Sequence, residues 1–211
     1  MRLYFSSTKV TDTVISDEHN RPLYATSSST YLRHTQILKC TPTAPTPVNF
    51  ATIDFHNFSP DYLTLRGEKF KVTDFLERPV LNSNRREFVL ANGTKFVCQW
   101  VANIWRLSLL DGPEVGRSHV YLPGLNGDTP NPSFIEFSDD PRVLNSLDDL
   151  IVIYVYTRFR HEHDVTRRRR ERSSGLGMAG GGVDLPDSGV GISDSSSGGF
   201  FDSGIGSSTD M

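Results

Sequence analysis

His161-Glu162-His163-Asp164 holds the residues of this chain whose types most readily suggest chemistry, because imidazole and carboxylate are common zinc ligands. Their spacing argues the other way. On a helix, side chains two apart point to different sides, and on a strand two ligands leave a site unclosed. The other histidines, His19, His34, His56 and His119, are scattered. No G-x-S-x-G, H-E-x-x-H, phosphate loop or dinucleotide fingerprint occurs. Gly180-Gly181-Gly182 has no strand before it and no helix after it, so it reads as a linker. Cys40 and Cys98 lack metal-ligand spacing and fit a reducing compartment. The sequence thus predicts no catalytic residue, no metal and no cofactor. The rival reading is a hydrolase-like enzyme with dispersed catalytic residues, in which folding brings His34, His56 or His119 beside an aspartate.

Two further groups carry charge chemistry. Arg167-Arg168-Arg169-Arg170-Glu171-Arg172 is a compact basic run. It reads as a solvated helix end or linker, as a nuclear address, or as a contact for anionic lipid, where each arginine contributes about 1 kcal/mol. Asp202-Ser203-Gly204-Ile205-Gly206-Ser207 has the form D-S-G-apolar-x-S. A near copy starts at Asp187-Ser188-Gly189, with its second serine, Ser193, one place late. The pattern resembles the phosphodegron read by F-box ubiquitin ligases of the β-transducin-repeat class. Phosphorylation of Ser203 and Ser207 would add roughly -1.5 to -2 charge each, which a basic pocket can capture. A Ser/Gly/Asp-rich tail also produces such a pattern by chance.

These groups flank an apolar block, Leu150 through Tyr156, bracketed by Asp148, Asp149 and Arg158. Spanning a membrane takes roughly 20 apolar residues, so no transmembrane segment is expected here. Ile, Val and Tyr would also suit a buried strand. Ser146-x-x-Asp149 resembles a capping box, and acidic residues precede the block while arginines follow it, which complements a helix dipole. The expectation is a helix over about 146–162, apolar nearly all round and enclosed by other elements.

Upstream, short β-forming runs alternate with turns, the pattern of an all-β sandwich or barrel. Strands are expected at 13–16, 22–26, 30–38, 48–55, 104–110, 120–122 and 133–137, with a proline-rich break at 42–47 and a helical turn at 74–76. Asn92-Gly93 suits a two-residue type I′ hairpin turn. That register sets Ala91 opposite Thr94, Val89 opposite Phe96 and Glu87 opposite Cys98, with Val89, Phe96, Cys98 and Trp100 on the core face. Phe88, Val97 and Leu90 then lie on the other face, covered by a loop or a partner. Trp100, Trp105 and Arg106 fit core packing better than base stacking.

The 211 residues carry a net charge of -3. Residues 173–211 hold five aspartates and no Lys or Arg, which leaves +2 on residues 1–172. No broad basic surface is implied, so nucleic acid is not an expected partner. The tail is too polar to offset its ordering entropy and is expected to be disordered. The domain is therefore placed at 1–172, and the start of the chain lacks a signal-peptide pattern, so a cytoplasmic or nuclear protein is expected.

Leu3-Tyr4-Phe5, Thr13-Val14-Ile15-Ser16-Asp17-Glu18, Arg21-Pro22-Leu23-Tyr24, Ala51-Thr52-Ile53-Asp54-Phe55, Arg66-Gly67-Glu68-Lys69 and Val72-Thr73-Asp74-Phe75-Leu76 stand in this order. Arg86-Glu87-Phe88, Asn92-Gly93-Thr94-Lys95-Phe96 and Trp100 follow, then the block from Leu147 to Arg160. Together, over about residues 3–160, they resemble the fungal domain-of-unknown-function family 6593, with Phe96 standing where tyrosine is usual. The resemblance implies a tubby-like β-barrel, shared with the LURP-one and scramblase-like groups, surrounding one apolar helix. It transfers no catalytic residue. The function expected is a non-enzymatic intracellular module that binds a protein or anionic lipid and carries a phospho-regulated tail.

Overall fold

Antiparallel strands follow one another through most of the chain because each apolar-polar alternation is cut after a few residues by turn-forming residues. The computed structural model describes residues 1–29, 33–41, 46–79, 84–119 and 132–175, with side chains through Arg167. The strands are β1 (Arg2–Phe5), β2 (Thr13–Ser16), β3 (Pro22–Ser28), β4 (His34–Lys39), β5 (Val48–Asp54), β6 (Tyr62–Leu65), β7 (Glu68–Lys71), β8 (Arg85–Val89), β9 (Lys95–Val101), β10 (Ile104–Leu109), β11 (Glu114–His119) and β12 (Phe134–Phe137). Helix α1 (Val72–Phe75) follows β7, and α2 (Pro141–Leu144) and α3 (Leu147–Gly175) close the order. The expected strand at 120–122, the first residues of the one expected at 30–38, and the tail lie outside the described residues. Contacts divide the chain into 1–171 and 172–211, and the sheet and its core belong to the first unit.

All twelve strands form one antiparallel sheet in the order β7-β6-β5-β4-β3-β2-β1-β12-β11-β10-β9-β8. The sheet is not closed: among the described residues β7 and β8 are its two edges. The nearest approach to closure is one antiparallel bridge, in which Glu77 and Glu87 exchange backbone hydrogen bonds at 2.9 Å.

The core is built around α3. Leu150, Ile151, Val152, Ile153, Tyr154 and Val155 are all 0–2% exposed. Six consecutive helical residues sweep about 500° around the axis, so this part of the helix is covered on every side. Phe5 of β1 approaches Tyr154 at 5.5 Å, Trp105 of β10 meets the same ring edge-on at 5.2 Å, and Phe55 stacks on Tyr156 at 5.9 Å. A Cβ at Gly116 would lie 3.0 Å from the Phe137 ring and 3.2 Å from Leu107, so only glycine lets these strands pack this closely.

Alternation of strand direction puts the turns after β1, β5 and β9 at one end, with the C-terminal half of α3. The turns after β2, β6 and β8 share the other end with its N-terminus. At that N-terminal end Tyr24 Oη and Lys39 Nζ donate to Asp148, each at 2.6 Å. Arg66 Nη2 donates to Asp149 at 2.6 Å, and Asn92 Nδ2 to Ser146 Oγ at 3.0 Å. The capping pattern thus ties the helix to the sheet, since Asp149 reaches the β6–β7 turn rather than back to its own N-cap.

Two expectations are corrected. The β8–β9 hairpin pairs Val89 with Lys95 and Phe88 with Phe96. Leu90 bonds Thr94 across the three-residue loop 91–93, in which Gly93 takes φ +80. Asn92 spends its side chain on the Thr94 amide and on Ser146. The one-residue shift turns Phe88 and Leu90 inward and leaves Val89 49% exposed. Two-residue turns with positive φ at both positions occur instead at Arg66-Gly67 and Ala102-Asn103. Second, α3 does not end near residue 162 but continues to Gly175. Arginine and glutamate are good helix formers, the Arg158–Glu162 pair adds i,i+4 support at 2.8 Å, and no glycine or proline intervenes.

Candidate functional site

The unclosed seam leaves a cleft of about 450 Å³ between the loop 56–61, α1, the start of β8 and α3. Tyr156, Arg160 and Asp164 line it from the helix, four residues apart and hence on one stripe. Arg78 and Arg86 line it from the edge of the sheet, and Ser59 and Thr73 add hydroxyls.

Asp61 organises the seam. Its buried carboxylate accepts from Tyr156 Oη at 2.9 Å, from Arg160 Nε at 2.7 Å and also from Arg160 Nη2. The His56 amide donates to it at 2.8 Å, while Arg160 Nη2 donates to the His56 carbonyl at 2.8 Å. Burial and the neighbouring carboxylate push the Tyr156 hydroxyl well above its ordinary pKa, so it stays a donor. The Arg86 guanidinium is pushed down, first by burial and next by the like charge of Arg78. Among the described lining residues three guanidiniums face two carboxylates, and Asp61 is already engaged by Arg160.

A second cleft, about 290 Å³, lies on another side of α3 between Trp100, His119, Tyr154 and His161. His161 stacks on Trp100 at 4.3 Å with the ring planes nearly parallel, and its Nε2 meets Asn103 Oδ1 at 3.2 Å. His163 instead lies 6.3 Å from Phe159. The two imidazoles of the tempting metal motif therefore take different neighbours. Among the described residues no group of three or more His, Cys, Asp or Glu side chains is placed to hold a metal ion.

The other histidines fall at separate places. His34 Nδ1 lies 2.7 Å from Asp54 Oδ1 on the surface. His56 borders the seam cleft, and His119 stacks on Phe134 at 4.1 Å with Glu136 at 3.6 Å. Ser118, next to His119, accepts the Trp105 amide at 2.8 Å. Trp105 is a core residue, and Cys98 is buried, which pushes its thiol up to about 12.

Of the basic run, Arg167 is the last residue with a described side chain, and helical spacing puts it on the stripe of Arg160 and Asp164. Arg168, Arg169, Arg170 and Arg172 are helical, while their side chains lie outside the described residues. Asp202, Ser203, Gly204, Ile205 and Ser207 lie wholly outside them. No helix among the described residues is long and apolar enough to cross a membrane. Sequence reasoning missed Asp61, Arg78 and Arg86, which stand far apart in the chain and share no periodic signal. Of the other lining residues, His56 and Asp164 stood in the sequence only as hydrolase and metal candidates, and Arg160 only as the end of the apolar block.

A model of a family of unknown function, DUF6593, matches residues 8–163. No curated protein and no solved structure matches the chain.

Proposed function

The chain belongs to the DUF6593 family of unknown function, and from that footing we propose that its domain is a non-enzymatic binding module for an anionic partner, seated at the open seam. The carrying observation is that Arg78 and Arg86 line one accessible cleft whose third guanidinium, Arg160, is held by Asp61. Placing like charges together costs energy that a bound anion returns, and guanidinium groups suit phosphate and carboxylate oxygens. Arg167 extends the same stripe, and the helical run to Arg172 continues the positive charge, which supports an extended anionic surface over a single small ion.

The test is sedimentation with phosphatidylcholine vesicles, with and without phosphatidylserine, at low and high salt. The R78A/R86A pair and a variant with Arg167, Arg168, Arg169 and Arg170 changed to Ala are compared with wild type. Binding that needs the anionic lipid, weakens with salt and drops in both variants is expected. Binding that ignores lipid charge discards the lipid partner. Capture of an acidic protein through the same arginines would assign the cleft to a protein partner instead.

Three finer readings belong with this proposal. A tubby-like barrel is supported by the antiparallel strand order around one covered helix. A nuclear location, beside the cytoplasmic one, rests on the basic run alone. Control of turnover through Ser203 and Ser207 by an F-box ubiquitin ligase rests on the tail pattern alone. Replacing both serines with Ala should lengthen the half-life, and an unchanged decay curve would sink it.

A further inference from the structure

Phe58 stands out from the surface around it. Its side chain is 103% exposed, whereas among the described residues the next most exposed large apolar side chain, Val48, reaches 56%. Half-bare apolar side chains are ordinary, but a ring with nothing covering it keeps its whole area in water. The loop that carries it is held on both shoulders. Phe55 lies 3.9 Å from Phe159, and the His56 amide and carbonyl are both bonded, to Asp61 and Arg160. Beyond the ring, the Asp61 carbonyl accepts the Val72 amide at 3.0 Å. The ring is thus presented from a fixed base, and Ser59, the next residue, lines the cleft of Arg78, Arg86 and Arg160.

We propose that Phe58 is an interfacial anchor, entering the boundary between headgroups and acyl chains of an anionic bilayer while the seam arginines meet lipid phosphates. This rests on the anionic reading of the seam and names its partner as a membrane surface. A soluble phosphate or an acidic peptide would satisfy the arginines and leave the ring in water. A bilayer takes both, since binding at its interface sums buried apolar area and electrostatic attraction, and aromatic rings settle at headgroup depth. Helix α3 carries Arg160, Asp164 and Arg167 on one stripe beside the cleft. The bilayer therefore lies alongside the stripe of Arg160, Asp164 and Arg167, where the helix can rest on it.

The experiment uses the full chain, phosphatidylcholine vesicles with and without phosphatidylserine, and the variants F58A and F58W. F58A should lower partitioning to anionic vesicles roughly tenfold, at an unchanged melting temperature because the ring covers nothing. F58W should bind like wild type. Its emission should be quenched by lipids brominated on their acyl chains, beyond the quenching that Trp100 and Trp105 give in wild type. If F58A sediments like wild type, or the F58W variant binds without added quenching, the anchor is wrong while the anionic reading stands, and Phe58 is left as a contact for protein. If wild type ignores anionic vesicles altogether, the membrane reading of the arginines falls as well.

Discussion

Asp61 holds the loop 56–61 to α3 through the Tyr156 hydroxyl, the Arg160 guanidinium and the His56 amide. Removing it takes the shared carboxylate from Tyr156 and Arg160 and leaves Arg160 only the His56 carbonyl. Loss of one member of a buried pair costs about 3–5 kcal/mol, and the 23% exposure of Arg160 lowers that toward about 2 kcal/mol. D61A should show this loss in its denaturation midpoint, and a midpoint within error of wild type would remove Asp61 as the organiser. Asp149 behaves differently. Burial raises its pKa even though Arg66 pulls it down, so the neutral carboxyl suits the fold better than the charged one. Its stabilising contribution is present below the unfolded value near 3.8 and is lost as pH rises through the folded pKa. D149N should therefore match or exceed wild-type stability at about pH 7, with the gain shrinking toward about pH 4. Melts at both pH values check the sign.

At the scale of elements, strand existence was legible where alternation was clean, and register was not. The β8–β9 loop was readable as a turn from Asn92-Gly93, yet its length depends on Asn92 bonding Ser146, 54 positions away in sequence. No local pattern reports such a bond. The observed register makes a sharp prediction: F88A should cost about 3–5 kcal/mol, while V89K should fall within about 0.5 kcal/mol of wild type. The reverse outcome, measured by urea denaturation, would restore the two-residue turn. The start of α3 was legible because the change from Asp148-Asp149 to an apolar run is local, as is the helical turn near Asp74, observed as α1 (Val72–Phe75). Its end was misplaced because the expectation stopped where hydrophobicity stopped, whereas helix propensity carries on through the arginines. The seam cleft was illegible for a topological reason: the Glu77–Glu87 bridge and the bonds of Asp61 to Tyr156 and Arg160 join segments far apart in the chain, and those long-range contacts bring residues 56–61, 78, 86 and 156–164 together.

At the scale of the whole molecule, α3 is the interior rather than a decoration of it. Leu150 through Val155 are buried on all sides of the helix, and each such side chain contributes roughly 1.5–3 kcal/mol on burial. The six together amount to about 9–18 kcal/mol as an upper estimate, comparable with the entire net stability of about 5–15 kcal/mol expected of a domain. The strands cannot make this up among themselves, because their inner side chains, Trp105 and Phe5 among them, would lose the ring of Tyr154 and face a void. A chain ending at Leu144 should therefore lack fixed tertiary packing, with a lost near-ultraviolet dichroism signal and exposed apolar surface that binds dye. A chain ending at Gly175 should melt like the full-length protein, since it keeps every described contact. If the chain ending at Leu144 kept a cooperative melt, the sheet would have to collapse onto itself without its helix, and the seam cleft, whose inner wall is Tyr156, Arg160 and Asp164, would cease to exist.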